Sequence, residues 1–228
     1  MAQVIISEES LSSEFGHDQS PSEPNACHTD STDVVFDALR PHQMNAGMAQ
    51  FRRIPVPNNR LTALRNHWAE IYTPIVDNLK LQIRMNTKTK HVELRTSPET
   101  EDIGVLDRAV EFIRAYLIGF EISDAKALLR IEDLYLQSFN VDDVKHLTGD
   151  HLSRAIGRIA GKDGKTKFTI ENATRTRIVL ADKRISLLGS YQNIKLARDA
   201  VCDLILGAPP SKVYYKLQNI SARLKERF

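Results

Sequence analysis

The sequence predicts an α+β protein of two tandem β-α-α-β-β-α units that follow a disordered, acidic N-terminal tail. Three observations lead there. Strand-like and helix-like apolar spacings occur in the same order twice, a polar acidic stretch precedes the first set, and a short glycine loop joins the two helices of the second.

The chain has 228 residues, 42% hydrophobic and 26% charged, enough for two small cores. Its formal charge of +2 hides a steep gradient. Residues 1–50 hold eight acidic residues against one basic, Arg40. Residues 51–150 hold 15 against 14, and residues 151–228 hold 6 against 16, a local excess of +10. The last third therefore suits a polyanion, with a solvated lysine-rich surface as the plainer alternative. Too few apolar residues occur in 1–50 to offset ordering entropy, so this region reads as a tail. The Asp33–Leu39 stretch within it reads as a chance apolar cluster, a short docking motif being the alternative.

The first unit spans 51–120. Arg52–Pro57 reads as an edge strand, because Pro is tolerated in sheets mainly at edges. Leu61, Leu64, Trp68, Ile71, Ile75 and Leu79 have helical spacing, interrupted at Pro74, which predicts two helices or a kink there. The stretches beginning at Leu81 and His91 alternate and are joined by Asn86–Lys90, a hairpin. Ile103, Leu106, Val110, Ile113 and Leu117 then share one face of a long helix ending at Gly119.

The second unit, 121–228, opens with a linking helix at 122–130. Leu134–Val141 reads as a strand. A helix runs from Asp150, its expected cap, through Ile159, and a second covers Lys165–Asn172. Strands follow at Arg175–Ala181 and Arg184–Leu188. Ser190 caps a final helix that Gly207 ends, and the basic stretch after it remains helical.

Between the paired helices of this unit lies Gly161-Lys162-Asp163-Gly164. Glycine at both ends lets the backbone turn tightly and approach a ligand without a Cβ in the way. The free N–H groups opening the second helix, together with its dipole, favour an anion. Lys162, Lys165 and Lys167 add charge at the same place. A glycine loop between two helices, followed by two strands and a helix, is how a type I KH domain clamps single-stranded nucleic acid. Arg154 and Arg158 share a helix face, and Arg175 and Arg177 share a strand face. Both pairs are candidates to line the groove, the alternative for each being ordinary surface arginine. The first unit has no such loop. Asn66–Ile71 stands in its place, and Trp68 there reads as core or interface, a base-stacking platform being the alternative.

Other chemistries fit poorly. A nucleotide-binding P-loop needs glycine five positions before Gly164, where the chain has Ile159, and it needs a preceding strand. No catalytic set and no metal-ligand spacing is found, and no cofactor is expected. Cys27-His28 lies in the tail, and Cys27 is not expected to pair with Cys202. No apolar run approaches a membrane span, and the N-terminus lacks a signal peptide's pattern, so no membrane partner is expected.

Several longer stretches resemble the partner of NOB-one family, tandem-KH assembly factors of the small ribosomal subunit. They are Arg53–Pro57, Thr73–Val76, Leu81–Arg84, Gly149–Gly161, Lys165–Asn172, Arg175–Asp182 and Gly207–Tyr214, and the resemblance covers about residues 51 to 215. It implies binding of pre-ribosomal RNA near the 3′ end of the small-subunit rRNA, and partnership with the processing endonuclease, other assembly factors and ribosomal proteins. It further implies a nucleolar and nuclear location with shuttling to the cytoplasm. By the resemblance, the family's loop usually has Gly where this chain has Asp163, a negative charge facing phosphate. The competing function is a protein-interaction scaffold whose KH groove takes a peptide or helix.

Overall fold

The protein is described by a computed structural model that covers residues 48–100 and 104–226. The tail up to residue 47, its Asp33–Leu39 cluster, Cys27-His28 and Ile103 lie outside the described residues. The first unit opens with β1 (Phe51–Pro55), α1 (Asn58–Asn66) and α2 (Trp68–Asp77). β2 (Leu81–Asn86), β3 (His91–Thr96) and α3 (Val105–Ile118) complete it. α4 (Ile122–Arg130) links it to β4 (Leu134–Asn140), α5 (Val141–Val144) and α6 (Asp150–Ala160). After a 3-10 turn at Lys162–Gly164 come α7 (Lys165–Thr174), β5 (Arg177–Ala181), β6 (Arg184–Ser190), α8 (Tyr191–Leu206) and α9 (Pro210–Glu226).

Each unit forms a three-stranded antiparallel sheet with its third strand in the centre, β1-β3-β2 and β4-β6-β5. The edge position expected for the Pro-containing first strand is the one β1 takes. The hairpin register pairs Asn86 with His91, and Asn86 Oδ1 accepts the Thr89 N–H at 3.2 Å to close the turn. Gly119 and Gly207 end α3 and α8 at φ of 128° and 108°, a region where a Cβ is costly. The break in the first helical stretch falls at His67, not at the expected Pro74. Pro74 removes one helical N–H, a smaller loss than unpacking Ile71 and Ile75, both fully buried on this helix. The cap expected at Asp150 is held by Gly149 at positive φ, which leaves Asp150 in the first turn, where its charge suits the helix dipole. The α5 turn, closed by an Asn140/Asp143 capping box, has no counterpart in the sequence reading.

The two cores meet at the second sheet. Register places Phe139, Ile178, Ile185 and Leu187 on its front face, within the core formed with α6, α7 and α8. On its back face Leu188 belongs to the first core, with Leu134, Leu136 and Val179 packed against it. The central strand β6 is thus covered on both sides, with Ile185, Ser186, Leu187 and Leu188 at 1%, 1%, 0% and 4% exposure. α4 is part of the cover, since Ala125 and Leu128 are buried in the first core.

The junction can be tested at Leu128. Leu128→Ala removes a buried side chain from the contact between halves, and the expected loss is about 2–5 kcal/mol in chemical denaturation. A loss below about 0.5 kcal/mol, the ordinary effect of a surface substitution, would show that α4 does not hold the halves together.

Candidate nucleic-acid interface

α6 delivers the chain into the loop with Ala155 and Ile159 buried beneath it, and α7 carries it away with Ile170 buried. The loop backbone is left-handed at three of its four positions. Gly161 has φ 73° and ψ 179°, Asp163 φ 55° and ψ 29°, and Gly164 φ 74° and ψ 7°. Aspartate is among the few residues that enter this region at modest cost, since its short polar side chain bonds locally.

The two glycines serve different ends. A Cβ on Gly161 would lie 2.2 Å from Thr166 Oγ1 and 2.9 Å from the Thr166 backbone nitrogen, so this glycine permits close packing inside the protein. A Cβ on Gly164 would meet nothing within 4 Å, so this glycine serves backbone conformation and leaves open space above it. Thr166 is buried and is fixed from the far end of the chain, because the Tyr214 hydroxyl of α9 donates to its Oγ1 at 2.9 Å. The C-terminal helix therefore braces the loop from below.

The sequence-predicted cations separate into two groups. Lys162, Lys165 and Arg154 are exposed, and among the described residues no ion pair holds them. Arg154 lies about 10 Å from Gly161 along the axis of α6, by the helical rise. Lys167 is half-buried beside Glu171 at 3.9 Å, and Glu171 Oε1 also accepts the Ile178 N–H at 2.7 Å. Arg158 turns away from the loop and donates to the carbonyls of Leu204 at 3.1 Å and Ile205 at 3.4 Å, satisfying the C-terminus of α8. Arg177 lies in a back-face row with Leu136 and Leu188 and pairs with Asp124 of α4 at 3.0 Å. That pair raises the guanidinium's affinity for its proton further. Arg175 precedes the strand in a left-handed cap at φ 52°, so Arg175 and Arg177 do not share a strand face. Both line a cavity between α4 and β5. The sequence reading missed Phe168, 60% exposed and one helical turn from Gly164, and Tyr214. An aromatic beside a glycine loop was a usable signal for Phe168. Tyr214 had none, because its partner lies 48 residues away.

Among the described residues no group of three or more His, Cys, Asp or Glu side chains could hold a metal ion. None of the described helices is long and apolar enough to cross a membrane. Cys202 is free and half-buried in α8, and burial pushes its thiol pKa up.

Residues 138–222 match the family described as a eukaryotic type KH domain, KH-domain type I, the second such domain of PNO1 proteins. The chain is 62% identical over 179 residues to RNA-binding protein pno1 of Dictyostelium discoideum, covering 78% of this chain and 75% of that one. It is 56% identical over 209 residues to pre-rRNA-processing protein PNO1 of Saccharomyces cerevisiae, covering 88% and 76%. In structure it is similar to a chain of the a/eIF2alpha–aDim2p–rRNA complex of Pyrococcus horikoshii, with TM-score 0.69 and 25% identity, covering 79% of this chain and 99% of that one.

The unequal glycines give a direct test. Gly161→Ala should cost on the order of 2–4 kcal/mol, because overpacking against Thr166 adds to the left-handed penalty, while Gly164→Ala should cost about 1–2 kcal/mol from conformation alone. Denaturation curves of both variants decide it, and equal losses would contradict the packing role given to Gly161.

Proposed function

The chain belongs to the PNO1 family of KH-domain proteins, and we propose that it binds single-stranded pre-ribosomal RNA through the loop Gly161–Gly164 during assembly of the small ribosomal subunit. The observation that carries this reading is the open left-handed turn at Gly164, with Lys162 and Lys165 exposed on either side of Asp163 and free of ion pairs among the described residues. Phosphate fits such a site. The helix dipole is positive at the start of α7, and the two exposed ammonium groups supply charge. Arg154 extends the positive surface along α6. Arg158 and Arg177 support the site indirectly, by fixing α8 and the α4 junction, while Arg175 is exposed at the end of α7.

The relatives' names supply the substrate class, since they are called RNA-binding and pre-rRNA-processing proteins. The structural neighbour is a complex that contains rRNA. The finer reading rests on the resemblance of the sequence motifs. It places the bound RNA near the 3′ end of the small-subunit rRNA, gives the processing endonuclease, assembly factors and ribosomal proteins as partners, and sets the work in the nucleolus and nucleus with passage to the cytoplasm. In that reading the protein holds RNA in a fixed geometry and performs no chemistry itself.

A clamp on roughly four to six phosphates makes log affinity fall against log salt with a slope of about −3 to −4. A slope near zero would point instead to a peptide or helix in the groove. Lys162→Asp with Lys165→Asp should remove most RNA affinity and leave thermal stability unchanged, as both side chains are exposed. Asp163→Gly should tighten binding, because it removes a negative charge and suits the left-handed backbone at φ 55°. Weaker binding by this variant would assign the aspartate a positive role.

A further inference from the structure

The back face of the second sheet is covered by the first core and α4, but the corresponding face of the first sheet is bare among the described residues. Register places Phe51, Arg95 and Gln82 in one row across it and Arg53, Glu93 and Arg84 in the next. Met48, Ala49, Phe51, Arg84 and Arg95 line a shallow cavity there. Glu93 sits in the central strand at 7% exposure, and Arg84 binds it through both Nε, at 3.0 Å, and Nη2. Arg53 flanks the same carboxylate at 3.8 Å and lies over the Phe51 ring, 5.0 Å from its centroid. Hydrogen bonds from Arg84 hold the Glu93 carboxyl below the usual carboxylate range. The buried carboxylate thus orients Arg84 by hydrogen bonds and holds Arg53 beside it by charge. Both side chains stay largely exposed, and Arg95 adds a third guanidinium with no partner among the described residues. Phe51, 42% exposed, stands between Arg53 and Arg95.

We propose that this open face of the first sheet is a second RNA-binding surface. Arg53, Arg84 and Arg95 take phosphate oxygens, and the ring of Phe51 with its overlying guanidinium gives bases a stacking platform. Three arginines against one buried, already neutralised carboxylate make the face complementary to a polyanion, in a unit whose formal charge over 51–120 is +3. Aromatic rings set among cations on a sheet are the arrangement by which single strands are held without sequence reading. An acidic peptide would satisfy the arginines and leave the ring without a role. The inference rests on the chain being an RNA-binding protein, but not on the glycine loop.

The test uses the full chain and two RNAs, one of about four to five nucleotides, enough for the glycine loop, and one long single strand. Phe51→Ala with Arg95→Ala leaves the Glu93 pairs intact. It should leave the short RNA's affinity unchanged, weaken the long RNA about tenfold, and make the salt slope shallower by about 0.7. Arg84→Gln with Glu93→Gln, which leaves no lone buried charge, should act in the same direction. In the Lys162→Asp, Lys165→Asp background the long RNA should keep a residual, salt-sensitive affinity that Phe51→Ala with Arg95→Ala abolishes. Unchanged long-RNA affinity and slope in both sheet variants would overturn the proposal, as would capture of polyglutamate in preference to RNA. Failure of wild-type protein to bind the short RNA would count against the loop alone and leave the sheet result to be read on the long strand.

Discussion

The two-sided burial of β6 is the constraint from which the rest of the structure follows. A sheet covered on one face leaves its orientation to solvent and linkers; a sheet covered on both is fixed to what covers it. Leu187 and Ile185 hold α6, α7 and α8 on the front, and Leu188 joins the first core on the back. The loop at Gly161–Gly164 is carried by α6 and α7, so its direction is set through the sheet on which they pack and the first core behind it. Asp124 and Arg177 lock the same joint electrostatically, and Gly189 lets β6 approach Thr176, whose Cγ2 would stand 2.8 Å from an added Cβ. Such joints resist bending because each contact is short and shared between elements.

The loop itself depends on support from a distance. Gly161 is pressed against Thr166, and Thr166 is held by Tyr214, which α9 brings back across α7. A phosphate clamp gains affinity when its N–H groups are already in position, since no ordering is then needed at binding. The last helix thus supports the proposed clamp from behind, through Tyr214 and Thr166. Asp163 fits the backbone, as a residue that accepts the left-handed region, while its charge opposes the anion proposed for the loop.

Much of this was legible in the residues. The linking helix, the Gly119 and Gly207 ends and the hairpin all follow from local signals such as apolar period, glycine position and turn composition, and the structure has them in place. The family's KH fold was legible in the second unit because its loop sits between two helices. What the sequence hid was the destination of side chains. Alternation in Arg177–Ala181 tells which residues share a face, not whether water or another core meets that face. Arg177 therefore looked like a groove cation and is an ion-paired residue of the junction. Arg158 showed a helix face but not the α8 carbonyls 46 and 47 residues away. The consecutive Leu187-Leu188 was a missed clue, because a strand that does not alternate is buried on both faces. Likewise the helix break at His67 was masked by the stronger local signal of Pro74.

The two repeats then differ in a way that composition alone misstates. Over 51–120 the formal charge is only +3, from 11 basic and 8 acidic residues, which by itself marks out no polyanion site. The fold sorts those charges. Glu70, Asp77 and Asp107 lie on the helices α2 and α3, on the far side of the sheet, while Arg53, Arg84 and Arg95 gather on the bare face. Within that face Glu93 does not offset the arginines at long range so much as place them, since the buried carboxylate is hydrogen-bonded to Arg84, which fixes its plane, and holds Arg53 nearby by charge. In the second unit the same sheet face has lost this character. Its row holds Leu136, Leu188 and a single arginine already paired to Asp124, because there the face is needed for packing. The same sheet face is thus put to two uses, packed against the first core in the second unit and charged and open to solvent in the first.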